Sequence, residues 1–255
     1  MNRTDNSGNW ETYISMYENN IPASTTVRME LLEIAPIKRY PIVVETGLTY
    51  IPGENDGFPD IQTLEMLHEL SSKLENLFRR NGEHLFVGSF MSNGDRFEYY
   101  YLTEISDIEN QLHSFYKKNY PNQEYEINVV KDVKWTYYKD FLYPNDETLA
   151  YISDEKLIKR IEDSGDNTSQ SRKINHWLFF KSERKMNKCK TILTKEGFTL
   201  ESETVNKKNN LPYELKISKQ GPIIIDSIFN TTCFLRETTE KYKGRYDGWE
   251  TSIVK

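Results

Sequence analysis

Along these 255 residues the spacing of apolar positions switches between strict alternation and intervals of three or four, and each switch marks an element. Trp10 to Tyr17 and Thr25 to Leu32 read as short strands around Glu18-Asn19-Asn20-Ile21-Pro22, a segment of turn formers, and so predict a hairpin. The β-prone run Ile42 to Ile51 follows Tyr40-Pro41 and is stopped by Pro52-Gly53. Gly57-Phe58-Pro59-Asp60 then opens a helix on which Ile61, Leu64, Leu67, Leu70 and Leu74 form a stripe, and Asn81-Gly82 closes it. Strands His84 to Met91 and Arg96 to Leu102 are joined by Ser92-Asn93-Gly94-Asp95, where Asn-Gly supplies the positive φ angles of a tight hairpin. Ile105, Ile108, Leu112, Phe115 and Tyr116 mark a second helix, and Tyr125 to Val130 a further strand. From Ile42 the order is therefore β-α-β-β-α-β, the ferredoxin-like plait, with both helices on one face of a four-stranded antiparallel sheet.

Trp135 to Tyr143 is an aromatic segment, and Asp146 can cap a helix running to about Ile161, which together predict a covering arm. Asp163 to Ser171 contains no apolar residue and is expected to be a flexible linker. Beyond it the same order repeats. His176 to Phe180 is a strand, Met186, Cys189, Ile192 and Leu193 lie on a helix ended by Gly197, and Phe198 to Val205 and Tyr213 to Ser218 are strands. A helix through Ile228, Thr232 and Leu235, with Asp226 as its expected cap, precedes a terminal strand. The expectation is an α+β chain of two ferredoxin-like plaits. The first, 1–163, has an extra N-terminal hairpin and a C-terminal aromatic and helical arm; 164–173 is the linker, and 174–255 the second plait.

Charge sharpens this division. Residues 174–255 carry 15 Lys+Arg against 10 Asp+Glu, or +5, which leaves 18 against 29, or −11, for residues 1–173. Opposite signs are the solvated faces of two ordinary domains, or else favour docking of one part on the other or different partners for each. No apolar run approaches the roughly 18 residues of a membrane span, and Met1 to Gly8 has no apolar core of a signal peptide, so a cytoplasmic protein is expected, without membrane association. Cys189 and Cys233 are too few for a disulfide framework and read as free thiols.

Catalytic signals are missing. His68, His84, His113 and His176 are scattered, with no pair at metal-ligand spacing, and there is no nucleophile elbow, phosphate loop or dinucleotide fingerprint. No catalytic residue, metal or organic cofactor is expected. Plaits of this order include the RNA-recognition fold, yet Tyr213-Glu214-Leu215-Lys216-Ile217 lacks its aromatic motif. Trp177, Phe179 and Phe180 read as core or sheet-cover residues, while Lys207-Lys208 and the +5 charge leave weak, salt-sensitive RNA contact open.

The densest stretch is Tyr242-Lys243-Gly244-Arg245-Tyr246-Asp247-Gly248-Trp249-Glu250-Thr251. It reads as a junction: Gly244 ends the helix in a left-handed conformation, Asp247-Gly248 sits where helix becomes strand, and Trp249 begins the alternation. The stretch resembles the C-terminal signature of the bacterial regulator of ribonuclease E activity B, of the form Tyr-Gly-Gly-x-Tyr-Asp-Gly-Trp-Glu. Lys243 replaces its first glycine, and Arg245 stands where that signature often has Glu. Trp10, Tyr40-Pro41, Gly57-Phe58-Pro59, Val87-Gly88 and Phe97 to Tyr101 are similar to a bacterial domain of unknown function that often precedes the regulator domain. The resemblance implies a non-enzymatic protein that inhibits or modulates an RNA-degrading enzyme by binding it. Two other readings stay open, a protein-interaction module with no ribonuclease partner and a weak RNA-binding domain. The candidate protein-binding residues are Tyr242, Arg245, Tyr246, Asp247, Trp249 and Glu250, as an amphipathic patch, against the alternative that the glycines and Trp249 serve the backbone and core.

Overall fold

Tyr99, Tyr100 and Tyr101 stand consecutively on one strand and all three are buried, so the sheet they belong to is covered on both faces. The computed structural model describes residues 8–17, 21–53, 57–104 and 107–254. The turn expected at Glu18-Asn19-Asn20, and Ile105 of the second helix, lie outside the described residues. The chain divides into two compact units, Met1–Asn145 and Asp146–Lys255.

In the first unit the strands are β1 (Trp10–Tyr17), β2 (Ile21–Arg28), β3 (Ile42–Thr49), β4 (His84–Ser92), β5 (Asp95–Leu102) and β6 (Tyr125–Lys131). They form one antiparallel sheet in the order β1-β2-β4-β5-β3-β6, in which β4, β5, β3 and β6 have the plait order and the expected hairpin extends the edge at β4. Asn93 (φ 51°) and Gly94 (φ 87°) make the tight turn between β4 and β5. Helices α1 (Ile61–Asn81) and α2 (Ile108–Asn119) cover one face. Asp60 caps α1 by accepting from the Thr63 amide at 2.8 Å, and Leu67, Leu70, Leu74 and Phe78 pack with Tyr100 and Val44. The other face is closed by a π-helical turn, Tyr137–Leu142, together with Trp135. Each tyrosine hydroxyl of the triplet finds a carboxylate: Tyr99 donates to Glu45 at 2.7 Å, Tyr100 to Glu98 at 2.7 Å and Tyr101 to Asp132 at 2.6 Å. Burial pushes the Asp132 carboxyl up, but hydrogen bonds from Tyr101 and from Thr136 and Tyr137 outweigh it and leave it below the usual range.

The second unit begins with α3 (Asp146–Asp163), followed by β7 (Arg172–Phe180), α4 (Glu183–Lys195), β8 (Thr199–Val205), β9 (Tyr213–Gly221), α5 (Ile225–Lys241) and β10 (Gly244–Thr251). The antiparallel order β10-β7-β9-β8 is again that of the plait. Along β7, Ile174, His176, Leu178 and Phe180 are buried toward the helices, while Lys173, Asn175, Trp177 and Phe179 alternate to the opposite face.

Three expectations are corrected. The aromatic half of the arm stays with the first unit, but the helical half, α3, packs along α5 in the second, so the division falls between Asn145 and Asp146 and not at 163–173. The apolar-free segment before β7 is held by polar groups: the Asn167 amide donates to the Val254 carbonyl at 2.9 Å, and Arg172 pairs with Asp166 at 2.6 Å and donates to the Ser252 carbonyl at 3.1 Å. Hydrogen bonds to a buried guanidinium replace the apolar anchors that the sequence lacks. Asp226 lies in the first turn of α5, whose cap is Ile224.

Candidate functional site

Strand β10 is built to turn its aromatic residues inward. The helix before it ends at Lys241 with Tyr242 as its cap, and Lys243, not Gly244, takes the left-handed conformation, at φ 53°. Lys243 is thus the position where the resembled signature has its first glycine, and here a side chain occupies backbone that favours glycine. Gly244 is required for space. A Cβ there would lie 2.6 Å from the Phe180 ring and 2.7 Å from the Phe179 carbonyl oxygen.

The register of β10 against β7 shifts between Tyr246 and Gly248, and Gly248 has φ 146°. Asp247-Gly248 is therefore a bulge inside the strand and not the helix-to-strand junction expected. Three residues apart, Tyr246 and Trp249 would face opposite sides of a regular strand. The bulge returns both to the helix side. Trp249 is buried, and its Nε1 donates to Asp154 Oδ1 of α3 at 2.9 Å. The other oxygen of Asp154 accepts from Thr232 Oγ1 of α5 at 2.6 Å and lies 3.8 Å from Arg236 Nη1. One buried carboxylate thus ties α3, α5 and β10 together. The sequence held its signal, since Asp154 falls on the stripe of Ile158 and Ile161, where a carboxylate is out of place without donors.

Tyr246 shares a 3.0 Å hydrogen bond with Nδ1 of His176 and has the Arg236 guanidinium 5.2 Å from its ring centroid. His176 is fully buried, its Nε2 meets no partner among the described residues, and burial lowers its pKa to about 4, with the Lys219 charge adding to the effect. Tyr242 packs half-buried against the same core. Of the six candidate residues, Tyr242, Tyr246 and Trp249 therefore serve the interior. Arg245, Asp247 and Glu250 point out, and Arg245 and Asp247 pair at 2.9 Å with side chains 65% and 50% exposed.

The outward residues adjoin two aromatics that the sequence reading assigned to core or cover. Phe180 is core, as expected, but Trp177 and Phe179 are half-buried on the face away from the helices. The Lys216 ammonium lies 4.4 Å from the Trp177 ring centroid and 3.5 Å from Glu250, and the Arg245 guanidinium 5.8 Å from the Phe179 ring. A shallow groove of about 510 Å³ runs beside them, lined by Phe179, Arg245 and Lys208 to Leu211. Chemistry of other kinds is poorly served. Burial pushes the Cys189 thiol up to about 12 and raises Cys233, the reverse of what a nucleophile needs, and among the described residues no three His, Cys, Asp or Glu side chains converge as metal ligands. No described helix is long and apolar enough to cross a membrane.

Comparison with known proteins divides the chain in the same way. Residues 8–143 match the model of a Family of unknown function (DUF695), and residues 152–251 match that of Regulator of ribonuclease activity B. No curated protein matches the chain. A crystal structure of an unknown protein from Galdieria sulphuraria aligns with 84% of this chain and 99% of its own at 14% identity and a TM-score of 0.22, a likeness too loose to carry an argument.

Proposed function

From a chain that belongs to the family of unknown function (DUF695) through residues 8–143 and matches the ribonuclease-regulator family over 152–251, we propose a non-catalytic regulator that binds an RNA-degrading enzyme through its second unit. The observation that carries this reading is the outward face of the second sheet. Trp177 and Phe179 form an aromatic centre with Lys216, Arg245, Asp247 and Glu250 around it, the composition that protein interfaces favour. The regulator acts by occupying its partner, so it needs no nucleophile, acid-base pair or metal, and works in the cytoplasm beside its target.

Protein is a better occupant than RNA. The two cations over the Trp177 and Phe179 rings are already matched by carboxylates, Lys216 by Glu250 at 3.5 Å and Arg245 by Asp247 at 2.9 Å, and Glu214 lies level with Phe179 on β9. A phosphate backbone laid there would compete with those carboxylates. Affinity capture from a native lysate of the host, with the full chain as bait, tests the assignment. A ribonuclease retained in stoichiometric amount, and lost with Trp177→Ala, supports it. Retention of RNA that salt removes, or of other proteins with no ribonuclease, would transfer the face to an RNA-binding or a general interaction role.

A further inference from the structure

The first unit holds a cavity of about 310 Å³ with five aromatic side chains in its wall, Tyr17, Phe90, Phe97, Tyr99 and Phe141. Ring centroids are 5.0 Å apart for Tyr17 and Phe90, 5.0 Å for Phe90 and Phe141, and 5.8 Å for Tyr99 and Phe141, so these four rings form a continuous surface. Glu45 and Asp95 add two carboxylates, and among the described residues no Lys, Arg or His lines the space. The donors that hold these carboxylates are neutral. Glu45 accepts from the Tyr99 hydroxyl at 2.7 Å and from Asn128 Nδ2 at 3.2 Å, and Asp95 accepts from Thr49 Oγ1 at 2.8 Å. Among the described residues neither carboxylate is paired with a Lys or Arg.

The segment that supplies Phe141 is strained. Trp135 sits at φ 60°, a region bulky residues enter only when their surroundings dictate it, and its indole is fixed by a 2.8 Å bond to the Tyr40 carbonyl and by stacking on Tyr101 at 4.1 Å. The π-helical turn that follows is a rare form concentrated at functional sites. Its wide spacing sets Phe141 over Tyr99 and Phe90.

We propose that this cavity binds an alkylated ammonium group, carried by a small quaternary ammonium compound or by a methylated lysine. Such a group has a diffuse positive charge inside an apolar shell and few or no N–H donors. Ring faces replace its weak hydration, and Glu45 and Asp95 balance its charge at a distance. A metal ion or a primary ammonium needs acceptors on several sides, which aromatic walls do not offer. The volume suits one such head group with a short tail. This inference concerns the first unit alone and stands apart from the ribonuclease reading of the second.

The test is calorimetric titration of the full chain with choline, tetramethylammonium, free trimethyllysine and 3,3-dimethylbutan-1-ol, the uncharged isostere of choline. The cations should bind saturably at one site, and the alcohol should bind about tenfold more weakly or not at all. Glu45→Gln keeps an acceptor for Tyr99 and should weaken cation binding with little change in melting temperature, as should Asp95→Asn. Choline binding more tightly than trimethyllysine assigns a small molecule, and the reverse order a methylated protein. Equal binding of alcohol and cations, unchanged affinity in both carboxamide variants, or no saturation with any cation overturns the proposal. The comparison with the alcohol needs no variant, so it decides even if a substitution impairs folding.

Discussion

Lys243 and His176 are single residues held in states their chemistry resists. At φ 53° Lys243 carries the cost of a left-handed non-glycine residue, about 1 kcal/mol. Lys243→Gly should therefore raise stability by up to about 1 kcal/mol in urea denaturation, although glycine elsewhere in a chain is destabilising. His176 is stored neutral. Its folded pKa of about 4 is below the unfolded value of about 6.5, so the unfolded state binds the proton first as pH falls. The stabilisation is fully present above pH 6.5 and is lost between about 6.5 and 4, a change on the order of 3 kcal/mol. Hydrogen-exchange protection of β7 amides, corrected for intrinsic rates, should fall through that window, and in His176→Phe the fall should be much shallower.

At the scale of elements, the second unit hinges on the junction of α3, α5 and β10 at Asp154. Asp154→Ala would leave Trp249 Nε1 buried without an acceptor, reduce Thr232 Oγ1 to its longer bond to the Phe229 carbonyl and remove the carboxylate beside Arg236, a loss of about 3 kcal/mol by denaturation. A change below about 0.5 kcal/mol would mean that the carboxylate does not hold α3 in place. The elements themselves were legible in the chain. The Asn93-Gly94 turn, the apolar stripe of α1 and the repeated β-α-β-β-α-β order all follow from local pattern, and the plait order of each sheet completes them. What pattern could not reveal was ownership. The stripe of α3 does not say which sheet it serves, and the polar stretch around Asp166 is ordered by Arg172 and by Ser252 and Val254 just past β10, contacts between residues about 80 apart in sequence. The site was legible only in part for the same reason. Period-two reasoning has no means of seeing the bulge at Gly248, so the sequence left a displayed patch and a core role for Trp249 both open; Tyr246 and Trp249 are turned inward, while Trp177 and Phe179, read as core or sheet cover, lie on the outward face.

For the whole molecule, moving the division to Asn145 changes the electrostatic picture. With α3 and the segment after it included, residues 146–255 carry 20 Lys+Arg against 17 Asp+Glu, or +3, and residues 1–145 carry 13 against 22, or −9. The second unit is thus only mildly basic, which weakens a general attraction to RNA and places more of any specificity in local charges such as Arg245. The central claim, that the outward face of β10 and β7 docks a ribonuclease, is most directly tested by the dissociation constant of that complex for the wild type and Arg245→Glu across a series of salt concentrations. Arg245 is exposed and its pair with Asp247 contributes little to stability, so the melting temperature should stay nearly constant. Affinity should drop several-fold at low salt, and the difference should shrink as the Debye length falls. Equal affinities at every ionic strength, with the fold intact, would contradict the account and leave the strand as a structural device alone.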